Sequence, residues 1–160
     1  MTDQAVNFDT DEMLSLWTSR KSGLIAEMKL KVIKADVNDV LLKMPFNKDF
    51  CADAAGELLH GGILTALMDS AFGLANFLAV PKLQATATLD LRVEYLRPAK
   101  SQADVIVFAE CYRQSRHIVF NRGSVWFDGD EENEIAVGYA TFALTRKSET
   151  DKNIRRDSNQ

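Results

Sequence analysis

Between His60 and Lys82 the chain carries a single ionisable residue, Asp69, inside residues 63–80, a stretch that is apolar almost all round. A run of that kind is a helix buried by its own domain, so the remaining elements must wrap it. An ionised carboxylate in such a helix costs several kcal/mol unless something pairs with it or uses it. A plain structural reading remains open, in which Asp69 shares a polar strip with Thr65, Ser70 and Asn76. The segment just upstream, Leu59-His60-Gly61-Gly62, weighs towards function. Two successive glycines before a helix let backbone N–H groups come close to a ligand.

The flanking segments supply the wrapping. Residues 10–20 predict a short amphipathic helix with Asp11 and Glu12 in its first turn and Met13, Leu16 and Trp17 as its apolar stripe. Residues 25–35 alternate, with Met28, Leu30 and Val32 opposite Glu27, Lys29 and Lys31, and predict a half-exposed strand. Residues 36–39 supply a turn, residues 40–44 a strand ended by Pro45, and residues 47–56 a loop. Beyond Pro81, residues 86–96 alternate strictly. Leu89, Leu91, Val93 and Tyr95 fall on one face, and Thr88, Asp90, Arg92 and Glu94 on the other. Strand patterns follow at 103–113, 117–128 and 135–144, with turns at Gln114-Ser115-Arg116 and Asp128-Gly129-Asp130. The expected fold class is α+β: an antiparallel sheet around a central helix at about 61–79, preceded by a helical segment (1–22) and followed by a disordered tail (147–160). One sheet leaves the far side of the helix bare, so a second subunit is expected to cover it.

Composition narrows the function classes. With 160 residues, 46% of them hydrophobic and 26% charged, the chain has the make-up of one ordinary globular domain, here spanning 23–146. A net charge of −4 argues against a nucleic-acid partner. No apolar run reaches the ~20 residues that span a bilayer, and the first twenty residues, with Asp3, Asp9, Asp11 and Glu12, do not read as a signal peptide. The two cysteines, Cys51 and Cys111, have neither metal-ligand nor redox spacing and read as thiols of a reducing compartment; a cytoplasmic location without metal or cofactor is expected.

Helix geometry then limits how the site is built. Amides at a helix N-terminus can polarise a carbonyl and hold the oxyanion formed when it is attacked, with Asp69 as nucleophile or general base. Yet Asp69 lies roughly 12 Å along the axis from Gly61 and about 80° around it. One carbonyl cannot touch both on the same chain. If they cooperate, Asp69 comes from a neighbouring subunit, and the site is composite.

The segment Gly56-Glu57-Leu58-Leu59-His60-Gly61-Gly62, with Asp69 nine residues after His60, is followed by Thr88-Leu89-Asp90-Leu91-Arg92-Val93-Glu94-Tyr95-Leu96-Arg97-Pro98. Together they resemble the hotdog-fold acyl-CoA thioesterases of the phenylacetate-pathway (PaaI-like) type, over residues 24–144. The resemblance implies hydrolysis of an acyl-CoA by a homodimer with shared sites, itself able to pair into a tetramer. It implies Gly61 as the oxyanion donor, Gly62 as support for the turn and Asp69 of the partner as the group that attacks or activates water. His60 would position the thioester or the loop, and Thr88 would orient water. Many members carry Asn or Gln where this chain has Ala54; either that role is absent, or a loop residue such as Asn47 takes it over.

A thiolate leaves readily, so no Ser-His-Asp triad is required, and none is legible; His117 reads as a surface residue. Arg97, Lys100, Arg113 and Arg116 stand at strand ends as candidate cations for the CoA phosphates, while Arg155 and Arg156 belong to the tail. Two other readings use the same fold. A non-catalytic acyl-CoA sensor would lack the carboxylate and add a DNA-binding module, for which twenty acidic N-terminal residues are too few. An enoyl-thioester hydratase needs a paired acid and base, and no second His accompanies Asp69.

Overall fold

The computed structural model describes residues 15, 19, 21–80 and 85–145. Of the expected N-terminal helix it includes only Ser15 and Ser19, joined by a helical-turn hydrogen bond of 2.9 Å; the rest of that helix and the tail lie outside the described residues. Among the described residues two α-helices, α1 (Leu24–Met28) and α2 (Gly61–Ala79), accompany six strands: β1 (Lys31–Ala35), β2 (Asp39–Met44), β3 (Ala85–Tyr95), β4 (Val105–Gln114), β5 (Ile118–Phe127) and β6 (Ala136–Thr145). The strands form one antiparallel sheet in the order β1-β2-β4-β5-β6-β3.

The strand expected from residue 25 onward begins only at Lys31. Residues 24–28 are helical, and Lys29 ends that helix in the left-handed region at φ 49°. Five residues are too few to display a 3.6-residue period, and Met28 and Leu30 are buried under either geometry.

Leu64, Leu67, Met68, Ala71, Phe72, Leu74 and Ala75 recur at helical spacing and form the buried side of α2. The sheet accommodates them where Gly123 and Gly138, paired across β5 and β6, leave a bare patch. A Cβ at Gly123 would stand 2.2 Å from the Phe108 carbonyl oxygen and 2.9 Å from the Phe72 ring, and one at Gly138 would stand 2.6 Å from Met68 Cε. Deeper in this interface Asn121 Nδ2 donates to Asn76 Oδ1 at 2.8 Å, both residues being fully buried. Asn76 Nδ2 and Asn121 Oδ1 have no partner among the described residues.

The opposite side of α2, with Ala66, Asp69, Ser70, Gly73 and Phe77, is only half-buried, because a single sheet covers one side of a helix. The described residues of the chain therefore do not enclose the helix all round. By length and composition it would suffice to cross a bilayer, contrary to the expectation that no run is long enough, but its apolar side is already packed against the strands.

Curvature around α2 comes with three register shifts, which leave Ile33 in β1, Leu89 in β3 and Tyr112 in β4 without a cross-strand partner. All three side chains are exposed. A bulge bends and twists its strand and breaks the alternation of faces beyond it. For β3 this overturns the strict alternation over 86–96: Leu89 is turned out, and Thr88 faces the helix together with Leu91, Val93 and Tyr95.

Candidate active site

The approach to α2 is built by Asp53, whose Oδ1 accepts from the N–H groups of Leu58 (2.8 Å) and Glu57 (3.0 Å). Those two bonds, the Leu58 bond foremost, hold its carboxyl below the usual carboxylate range. The chain then runs beside the β3–β4 connection. Leu59 N–H donates to Ala99 O, Ser101 N–H donates to Glu57 O, and Leu58 faces Lys100. Between these segments and the start of α2 lies a cleft of about 510 Å³, lined largely by Leu58, Leu59, Leu64, Leu96, Pro98 and Ala99. Ala52, His60, Gly61, Tyr95 and Arg97 complete its wall.

His60 is the N-cap of α2, and its Nδ1 accepts from Gly62 N–H at 2.9 Å. Nδ1 as acceptor places the proton of the neutral imidazole on Nε2. Gly62 N–H is therefore not a free donor, as the sequence suggests, because the preceding side chain satisfies it. Ile63 N–H bonds to His60 O. Gly61 N–H has no partner among the described residues, and the positive end of the helix adds to its pull on an anion.

Both glycines sit close against neighbouring side chains. A Cβ at Gly62 would stand 3.0 Å from His60 Nδ1, and a Cβ at Gly61 would stand 3.2 Å from the Tyr95 ring. Tyr95 Oη donates to Gly61 O at 2.8 Å and lies 2.6 Å from Thr65 Oγ1. Sequence pattern places Tyr95 on the apolar face of β3, and nothing local in the chain reveals this second set of contacts.

Asp69 stands two turns further along α2. It is half-buried rather than buried, and its Oδ1 accepts from Thr88 Oγ1 at 2.8 Å. Since Tyr95 meets residues 61 and 65 while Thr88 meets residue 69, β3 runs antiparallel to the helix. The Asp69–Thr88 pair thus lies outside the Gly61 cleft of its own chain, as the roughly 12 Å helical separation requires.

The candidate cations divide. Arg97 lines the cleft, but its Nε donates to Glu134 O (3.2 Å), its Nη2 contacts Asp130 Oδ2 (3.2 Å) and Asn133 O, and its guanidinium lies 5.8 Å from the Phe127 ring centroid. It fastens the β5–β6 loop. Lys100 is exposed near the cleft and pairs with Glu57 at 3.1 Å. Arg113 and Arg116 are exposed at the β4–β5 hairpin, the opposite end of the sheet. His117 is exposed beside them. Asn47 uses its side-chain oxygen to cap the turn at Lys48–Phe50 by accepting from Asp49 N–H, and Ala54 is exposed in the loop. Cys51 and Cys111 are both free, and burial pushes both thiols up, which disfavours a cysteine nucleophile at neutral pH.

A sheet wrapped on one long helix, with the helix start at a cleft, is the hotdog fold. A thioesterase from Haemophilus influenzae shares it with a TM-score of 0.73 at 18% identity, over 89% of this chain and 94% of its own. A Pseudomonas aeruginosa crystal structure matches with a TM-score of 0.65 at 33% identity, over 72% of this chain and 85% of that one. The sequence profile described as "Thioesterase superfamily" matches residues 56–134. A Halobacterium salinarum protein provisionally named an esterase is 34% identical over 148 residues, covering 87% of this chain and 97% of its own length. The chain belongs to the thioesterase superfamily. This membership supports hydrolysis of a thioester or ester.

Proposed function

We propose that the protein hydrolyses acyl-CoA thioesters to a carboxylic acid and CoA, in a homodimer whose two sites each draw on both subunits. The observation that carries this reading is the Gly61 N–H, which no described residue engages while the Gly62 N–H is taken by His60, at the wall of an apolar cleft. A thioester carbonyl oxygen set against that amide is polarised, and the negative charge that forms on it during attack is held there. The attack is made by a carboxylate of the neighbouring subunit, Asp69, either through a water from which it takes a proton, or directly, forming a mixed anhydride that a water then hydrolyses to the carboxylic acid and free Asp69; in both cases the CoA thiolate leaves and is protonated. Thr88, bonded to Asp69, orients that carboxylate and its water. The apolar lining suits an acyl chain, aliphatic or aromatic, and Lys100 and Arg97 stand nearest for the CoA phosphates.

Thiol release across a panel of aliphatic and aromatic acyl-CoAs tests the activity. Asp69→Asn should abolish most turnover with fold and assembly intact, and undiminished turnover would refute the assignment. Sharing is tested by mixing Asp69→Asn with Gly61→Pro, each inactive alone. Random reassortment makes half the dimers mixed, each with one intact site, so about one quarter of wild-type activity returns. Sites contained within one chain would regain none.

A further inference from the structure

The Gly61–Gly62 peptide is gripped at both ends. His60 Nδ1 accepts from its N–H at 2.9 Å, and Tyr95 Oη donates to its carbonyl oxygen at 2.8 Å. Tyr95 has one hydroxyl proton, and the 2.8 Å bond to Gly61 O takes it; the 2.6 Å contact with Thr65 is then donated by Thr65. Thr65 Oγ1 lies 3.3 Å from Gly61 O, too far to displace Tyr95 as the main donor. Tyr95 is 51% exposed, so burial does not explain its place against the helix start. Its hydroxyl contacts do, together with the missing side chain at Gly61 that lets the ring approach.

We propose that Tyr95 is a positioning residue that acts with His60 on this one peptide group. Holding it from both ends sets the direction of the first turn of α2, and with it the direction in which the neighbouring Gly61 N–H points into the cleft. Thr65 supports the clamp by donating to Tyr95. Tyr95 needs no contact with the reacting atoms to do this. The inference rests on the proposed thioester hydrolysis for its catalytic meaning, while the clamp itself is a statement about a hydrogen bond.

The test uses the full chain as Tyr95→Phe, which keeps the ring and removes only the hydroxyl, with Thr65→Val as a second variant one step removed. Amide exchange at Gly62, followed by NMR, reads the clamp independently of activity. Tyr95→Phe should raise it about five-fold, the effect of losing one ordinary hydrogen bond. Thiol release should show kcat lowered by a similar factor, about five-fold, with KM little changed. Thr65→Val should move both in the same direction by less. Unchanged exchange at Gly62 in Tyr95→Phe overturns the clamp. Faster exchange with unchanged kcat overturns its role in positioning. Faster exchange in a protein whose wild type releases no thiol from any acyl-CoA upholds the clamp and refutes the proposed hydrolysis instead.

Discussion

Replacing Gly61 with proline deletes one N–H group and almost nothing else that the fold uses. Gly61 is the first residue of α2, where proline is tolerated because that N–H has no helical partner. His60, the residue before it, is already extended with ψ 128°, away from the helical region that a following proline disfavours. The nearest neighbour of the new Cβ is the Tyr95 ring, at 3.2 Å, and Gly61→Ala adds that same Cβ while keeping the N–H. The ratio of the two variants therefore isolates the amide. Gly62 N–H is occupied by His60, so Gly61 is the one donor of the turn, and losing a single oxyanion donor lowers kcat about 100- to 1000-fold. The assay is thiol release at saturating acyl-CoA for wild type, Gly61→Ala and Gly61→Pro, with thermal unfolding by circular dichroism as the check on folding. A folded Gly61→Pro whose kcat stays within about three-fold of Gly61→Ala would refute the oxyanion role of this amide.

Two further outcomes concern the frame of the site. Asn76→Leu and Asn121→Leu should each destabilise by about 1–3 kcal/mol in urea unfolding, since each strands the other amide in a fully buried place, whereas the double variant should be close to wild type. Additive losses would mean that the two amides do not support each other. Asp53 has its folded pKa lowered, so its contribution to stability is present above the unfolded value near 3.8 and is lost as pH falls through the folded one. The stability gap between wild type and Asp53→Asn should therefore narrow as urea midpoints are followed from about pH 6 towards pH 3, and a gap independent of pH would exclude this carboxylate as its source.

Much of the architecture was legible along the chain because it rests on local periodicity. The apolar run that became α2, the strands at residues 40–44 and beyond 103, and the turns at Ser115 and Gly129 all follow patterns confined to a few neighbouring residues. The His-Gly-Gly turn and the spacing to Asp69 were legible too, and helix geometry alone ruled out one carbonyl meeting Gly61 and Asp69 of the same chain.

What the sequence determined by itself, then, is a helix that must be wrapped, strands able to wrap it, and a Gly61 amide and an Asp69 carboxylate held too far apart on one rod to meet one carbonyl. Tertiary structure decided what surrounds each of the two. The bulge at Leu89 turns Thr88 towards Asp69, against the alternation that had placed it on the polar face. Tyr95 comes thirty residues along the chain from Thr65 to hold the Gly61 carbonyl. His60 folds back onto Gly62, which removes one of two donors the motif had offered, and Arg97 turns to the β5–β6 loop rather than standing free at the cleft. Each of these depends on cross-strand register or on contact between elements distant in sequence. Those are set by how the whole sheet bends around the helix, and no local period in the chain encodes that bend.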